Sequence, residues 1–181
     1  MDIPFLISER LYLRPLDLDD LDRCLVWIND PVVASQIGRH RPMSRTMERE
    51  WLSGQYRSAS DISLAVILTD GDRHIGNIGL HSIDSDNRSA EFGILLGDET
   101  MRGKGYGTEA GRLILNYAFD ELGVHRVMLR AYAFNAGALR MYAKLGFREE
   151  GRLRDAYYRH GSFHDTILLS ILEDEWRGRH A

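Results

Sequence analysis

The sequence predicts an α+β (α/β) fold, a mixed and mostly antiparallel sheet flanked by helices. Three observations carry that prediction. Strand-like segments joined by short turns fill the middle of the chain. A strand, a glycine-rich loop and a helix follow, then a second strand and helix. Two further strand-like runs close the chain around a turn. A meander followed by strand–helix alternation gives a mixed sheet. The 181 residues are 44% hydrophobic, enough for one full core, so residues 1–181 are expected to form a single domain.

The elements follow in order. Leu11-Tyr12-Leu13-Arg14-Pro15-Leu16 alternates as a strand does. Asp17 is placed to cap a helix, with Asp20 three residues on and Leu16 able to staple onto Leu21. Leu21, Cys24, Leu25 and Ile28 then share a face up to Pro31. Ser44 starts a second helix through Arg57, with Met47, Trp51 and Leu52 as its expected apolar side. Strands 62–69 and 74–81 flank Asp70-Gly71-Asp72, a turn signal. A strand over 90–96 follows the polar loop 85–88. Helix 108–122 stops at Gly123, strand 124–133 follows, and helix 136–145 stops at Gly146. Strands 152–159 and 163–172 surround His160-Gly161-Ser162, the strand region being read as far as Trp176.

Composition excludes several classes. Lys and Arg number 23 against 27 Asp and Glu, a net charge of -4, which argues against nucleic-acid binding. The strongest apolar run, 62–68, falls far short of the ~20 residues a membrane span needs. Asp2, Glu9, Arg10 and Arg14 precede any long apolar stretch, so no signal peptide and a cytoplasmic location are expected. The single cysteine, Cys24, allows no internal disulfide and is read as core. His160 and His164 flank a turn, and no metal is expected.

The informative stretch runs from Glu91 to Ala110. A glycine-rich turn between a strand and a helix N-terminus gathers unpaired N–H groups and suits a pyrophosphate. Arg102 and Lys104 add positive charge. A P-loop would need four residues before Gly-Lys and then Ser or Thr. Here five separate Gly97 from Gly103, and Gly105 follows Lys104. A dinucleotide fingerprint is met by Gly105, Gly107 and Ala110. The next strand, however, ends in Tyr132-Ala133-Phe134-Asn135, without the acid that pattern requires.

Arg102-Gly103-Lys104-Gly105-Tyr106-Gly107 instead resembles the acyl-CoA loop of the GNAT superfamily of N-acetyltransferases, Arg/Gln-x-x-Gly-x-Gly/Ala. Asn135, Ala138, Tyr142 and Gly146-Phe147 resemble the same family's Asn-x-x-Ala-x-x-x-Tyr-x-x-x-Gly-Phe signature. The opening strand, Trp27-Ile28-Asn29-Asp30-Pro31 and Ala90-Glu91-Phe92-Gly93 look most like the branch of the RimJ/RimL-type ribosomal-protein N-terminal acetyltransferases. Spermidine acetyltransferases are relatives of that branch.

The resemblance implies acetyl-CoA as cosubstrate, bound in a cleft between splayed strands, and direct transfer to an amine. It assigns Tyr142 the general-acid role toward the departing thiolate, and Glu91 the base or water relay. Gly93 would permit a bulge that splays the strand. Ile94, Leu95 and Leu96 would line the pantetheine slot, Asn135 would hold the arm, and Arg102, Gly103, Lys104, Gly105, Tyr106, Gly107 and Thr108 would bind the pyrophosphate. A monomer or homodimer is expected.

The acceptor is the least patterned part. Arg39, Arg41, Arg45, Arg49 and Arg57 outnumber Glu48 and Glu50 before the first meander strand, the wrong sign for a polycation such as spermidine. That favours a protein amino terminus, an amino sugar or another neutral-to-acidic amine. A small-molecule acceptor, a non-catalytic acyl-CoA-binding domain and a nucleotide-dependent enzyme stay open.

Overall fold

Asp17 and Asp20 act as their spacing predicts. In a computed structural model, which describes residues 3–55 and 57–180, they form a reciprocal capping box at the start of the first helical stretch. Strand β1 (Leu6–Ile7), absent from the sequence reading, pairs with β2 (Leu11–Pro15). A 3-10 turn then leads into α1 (Leu21–Asn29). Asp30 caps α2 (Pro31–Gln36) through the amides of Val32 and Val33. The Ser44 hydroxyl accepts from the Met47 amide at the head of α3 (Arg45–Gln55).

Helix α3 is rotated from the expected register. Met47 and Trp51 are 50% and 39% exposed, while Glu48 and Leu52 turn inward. Leu52 joins a cluster with Leu16, Leu21 and Cys24 under one face of the sheet, and Glu48 comes with it because it sits one turn earlier.

Strands β3 (Ile62–Leu68), β4 (Arg73–Asp84), β5 (Ser89–Leu96), β6 (Arg126–Tyr132), β7 (Arg148–Arg159) and β8 (Ser162–Leu172) complete one eight-stranded sheet, ordered β1-β2-β3-β4-β5-β6-β8-β7. Its one parallel pair is β5–β6. Helix α4 (Tyr106–Asn116) continues through a π turn to Glu121 and packs against α5 (Ala136–Leu145) on the other face. There Leu11, Leu13, Val66, Ile78, Phe92, Ile114 and Phe119 form the main core. The region read as strand to Trp176 turns helical at α6 (Glu173–His180). That helix is mostly polar and lacks apolar periodicity. Trp176 anchors it, buried beside Phe119 and donating from Nε1 to Asn116.

The bulge expected at Gly93 is not formed. Strands β4 and β5 stay in register from Gly76↔Leu96 to His81↔Glu91, and the irregularity falls between His81 and Asp84. The splay arises on the other side of β5. Parallel pairing with β6 covers only Ser89–Glu91 against Arg126–Met128, and beyond it the strands part. Among the described residues no helix is long and apolar enough to cross a membrane.

Candidate active site

The opening between the ends of β5 and β6 is a cavity of about 590 Å³. Ile94, Leu95 and Leu96 line one wall, the glycine loop one end, and α5 with Asn135 and Tyr142 the other. Gly103 and Gly105 have φ of +73° and +90°, a left-handed backbone that glycine adopts without penalty, and Gly105 caps α4. A Cβ on Gly107 would stand 2.7 Å from the Met141 sulfur, so this glycine lets α4 and α5 approach.

Arg102 is the charged anchor of the loop. Its Nε donates to the Leu96 carbonyl (3.0 Å) and Nη1 pairs with Glu99 (3.3 Å), while Nη2 is buried with no partner. A buried, unpartnered guanidinium N–H is costly unless a ligand accepts from it.

Asn135 uses its side-chain oxygen to cap α5, accepting from the Ala138 amide at 3.1 Å. Tyr142 is wedged edge-on between Phe92 and Phe147, with centroids 6.0 and 5.9 Å away. Burial pushes its phenol up to about 12, so it stays protonated throughout the physiological range.

Three predicted residues stand outside this lining. The Lys104 side chain is exposed, and its carbonyl accepts from Arg10 Nη1 at 3.3 Å. Tyr106 packs against the core beneath the Arg10 guanidinium, which is 4.6 Å from its ring centre. Glu91 sits at the last β5–β6 pair, across the strand from His81. Conversely, Arg140 and Lys144 line the cavity and escaped the sequence reading, though their i,i+4 spacing places both cations on one face of α5.

Ile37, Ile94 and Leu95 also line a second cavity, of about 280 Å³, on the α1–α3 side of β5. Cys24, Glu48, Trp51, Asn77 and His81 face it. Glu48 is 3% exposed and makes no side-chain hydrogen bond or salt bridge among the described residues. Burial raises its carboxyl above the ordinary value, and Arg39 opposes that shift. The Cys24 thiol accepts from Asn77 Nδ2 (3.3 Å), and burial pushes it up to about 11. It is therefore a neutral wall group, unsuited to attack. No sequence motif marks these residues, because the fold gathers them from α1, α3 and β4.

Two cavities meeting at one strand, with a glycine loop at the outer end of the larger, fit a reaction between two bound substrates. Residues 10–148 match the family described as acetyltransferase (GNAT) domain. The chain belongs to the GNAT acetyltransferase family.

Among its relatives, YdaF of Bacillus subtilis (strain 168), provisionally named a ribosomal N-acetyltransferase, is 40% identical over 95% of this chain and 96% of its own length. That likeness agrees with the RimJ/RimL-type branch. The spermidine N(1)-acetyltransferase of Escherichia coli K12 is 27% identical over 96% of this chain and 91% of its own. The Vibrio cholerae spermidine N-acetyltransferase, solved with CoA and spermine, superposes with a TM-score of 0.88 at 25% identity, covering 94% of this chain and 99% of the other.

This GNAT protein is an N-acetyltransferase, and the family uses acetyl-CoA. Its residues fit that cosubstrate: the free Nη2 of Arg102 and the glycine-loop amides suit a pyrophosphate, and the β5–β6 gap suits a narrow arm.

Proposed function

We propose that this enzyme transfers acetyl from acetyl-CoA directly to the primary amine of a protein N-terminus whose following residues are neutral to acidic. One observation carries the choice of acceptor. The inner cavity holds a single buried carboxylate, Glu48, while a third cavity of about 410 Å³, sharing Ile28 and Arg39 with it, presents Arg39, Arg41 and Arg159. None of these arginines has a carboxylate within ion-pair distance among the described residues. Arg159 is held by the carbonyls of Arg39 (3.0 Å) and Pro31 (3.1 Å).

The buried Glu48 carboxylate on one side and arginines without carboxylate partners on the other favour a ligand with its ammonium beside Glu48 and acidic groups beside the arginines. A polyamine would bring its second cation against the arginines. The spermidine acetyltransferases among the relatives keep that alternative in view, and a compact amine would also fill 280 Å³.

The residues act by position. Arg102, the loop glycines and Thr108 would hold the pyrophosphate, with Ile94, Leu95, Leu96 and Asn135 along the pantetheine arm. The acetyl carbon would then lie near the junction of the two cavities. Holding both substrates in place supplies roughly 7–11 kcal/mol of the barrier, so no covalent acyl-enzyme is required. Tyr142 donates a hydrogen bond to the sulfur as negative charge develops there.

Thermal unfolding tests the donor. Acetyl-CoA at about 100 times its Kd adds ~2.7 kcal/mol, a rise of about 5–10 °C for a chain of this length. Arg102→Ala is expected to weaken binding roughly ten- to hundredfold, the worth of a charged hydrogen bond. A rise with NADH or ATP instead of acetyl-CoA would refute the donor assignment.

A further inference from the structure

His81 occupies a position the sequence reading passed over. It lies on β4 opposite Glu91, its ring facing the acceptor cavity. Two glycines, Gly79 and Gly93, face each other in register beside it. A Cβ on either would come within 3.1–3.2 Å of the imidazole's Nε2, so bare backbone on both strands makes room for this ring. Gly93 immediately precedes Ile94 and Leu95, where the two cavities meet.

The other ring nitrogen is held. His81 Nδ1 lies 3.4 Å from Asp61 Oδ1, with the side chains 39% and 33% exposed. Asp61 accepts from the Ser58 hydroxyl (2.6 Å) and the Ser82 amide (3.2 Å). The Ser58 hydrogen bond leads the effects that keep this carboxyl below its ordinary range. Ser82 adopts φ +49°, and the β4–β5 ladder is irregular from His81 to Asp84. A non-glycine residue in that conformation is strained, and a strand irregularity re-aims side chains beside a site.

We propose that His81, oriented by Asp61, is the general base of the transfer; this rests on the amine-acetylation reading above. With Nδ1–H donating to Asp61, Nε2 carries the free lone pair toward the cavity. The acceptor ammonium gives one proton to Nε2, which passes it to solvent. The neutral nitrogen forms the C–N bond to the acetyl carbon, and the C–S bond breaks with its electron pair going to sulfur. The nitrogen loses its second proton to solvent, while Tyr142 donates one to the thiolate and is replenished from solvent. Two protons leave nitrogen, and one of them is balanced on CoA sulfur. Glu91 across the strand, Asp61 behind, Glu48 and Arg39 on the facing wall and the neutral Cys24 are the other ionisable groups around the ring.

The test is kcat/KM for a peptide with an acidic N-terminal segment, measured from about pH 5 to 9 for the full chain and its variants. His81→Gln is expected to lose about 10²-fold near neutral pH, with KM for acetyl-CoA unchanged. Its acid limb should move to the one set by the acceptor amine's own ionisation, and its deficit should shrink as pH rises and the amine arrives neutral. Asp61→Asn should lose less and displace the limb, as befits a positioning residue. Glu48→Gln should raise KM for the peptide and keep the limb. His81→Gln within twofold of the parent at every pH would overturn the assignment while leaving the acetyltransferase reading intact. The same displacement of the limb in Glu91→Gln or Glu48→Gln would overturn it equally. A parent enzyme that acetylates no amine would overturn the proposed function and this base with it.

Discussion

Replacing Tyr142 by Phe lowers kcat by roughly 10²–10⁴-fold and leaves KM for acetyl-CoA within a factor of two. That range is what a positioned proton donor contributes. The ring keeps its two aromatic neighbours, Phe92 and Phe147, and the hydroxyl has no protein hydrogen-bond partner among the described residues. Folding stability should therefore change by less than about 1 kcal/mol, and a thermal melt separates lost chemistry from lost structure. The pH profile adds a second check. Because burial raises this phenol to about 12, its acid form persists through neutral and moderately basic pH. No basic limb assignable to Tyr142 should appear below about pH 10. Unchanged kcat in Tyr142→Phe would remove it from the acid role.

Asp20→Ala is the substitution expected to cost most stability, about 3–5 kcal/mol and on the order of 10 °C in Tm. The carboxylate is 6% exposed and grips Arg14 through both oxygens, at 2.7 and 2.8 Å. It also accepts from the Asp17 amide at 2.9 Å and lies 3.2 Å from His74 Nδ1. Burial alone would raise its titration point, but the bonds from Arg14, His74 and Asp17 outweigh burial and hold it well below the usual range. A depressed carboxyl stabilises the fold above its unfolded value near 4, and that stability drains away as pH falls through the lower folded value. The parent should thus lose stability on acidification below about pH 4 more steeply than Asp20→Ala. Guanidinium unfolding at neutral and acidic pH measures both. Asp20 ties β2 to α1, and α1 carries Cys24 and Ile28 to the second cavity, the proposed acceptor site, so the variant should also raise KM for the amine.

Local chemistry was legible where it alone decides structure. The Asp17–Asp20 box, the Asp70-Gly71 turn and the glycine loop each depend on a few adjacent residues, and each forms at its expected place. Arg102, Asn135 and Tyr142 line the cavity because two motifs place them there. What the sequence hid was set by packing. Helix α3 turns Trp51 outward because Leu52 fills the cluster beneath the sheet, and the same rotation buries Glu48. Helix α6 has too few apolar residues to announce itself and depends on Trp176. The strand splay needs no bulge at Gly93, since parallel pairing simply ends after Glu91. The second cavity combines single residues from distant segments, which no spacing rule could have joined.

The proposed acceptor is an N-terminal amine followed by neutral to acidic residues, and acidic ones should suit the arginines best. The most direct measurement incubates the full chain with acetyl-CoA and equal amounts of three acceptors: a peptide with acidic residues after its free N-terminus, one with basic residues there, and spermidine. Mass spectrometry of the products then gives the partition. The acidic peptide should be acetylated at its α-amine in clear excess over both others. Acetylspermidine or the basic peptide as the main product would contradict it.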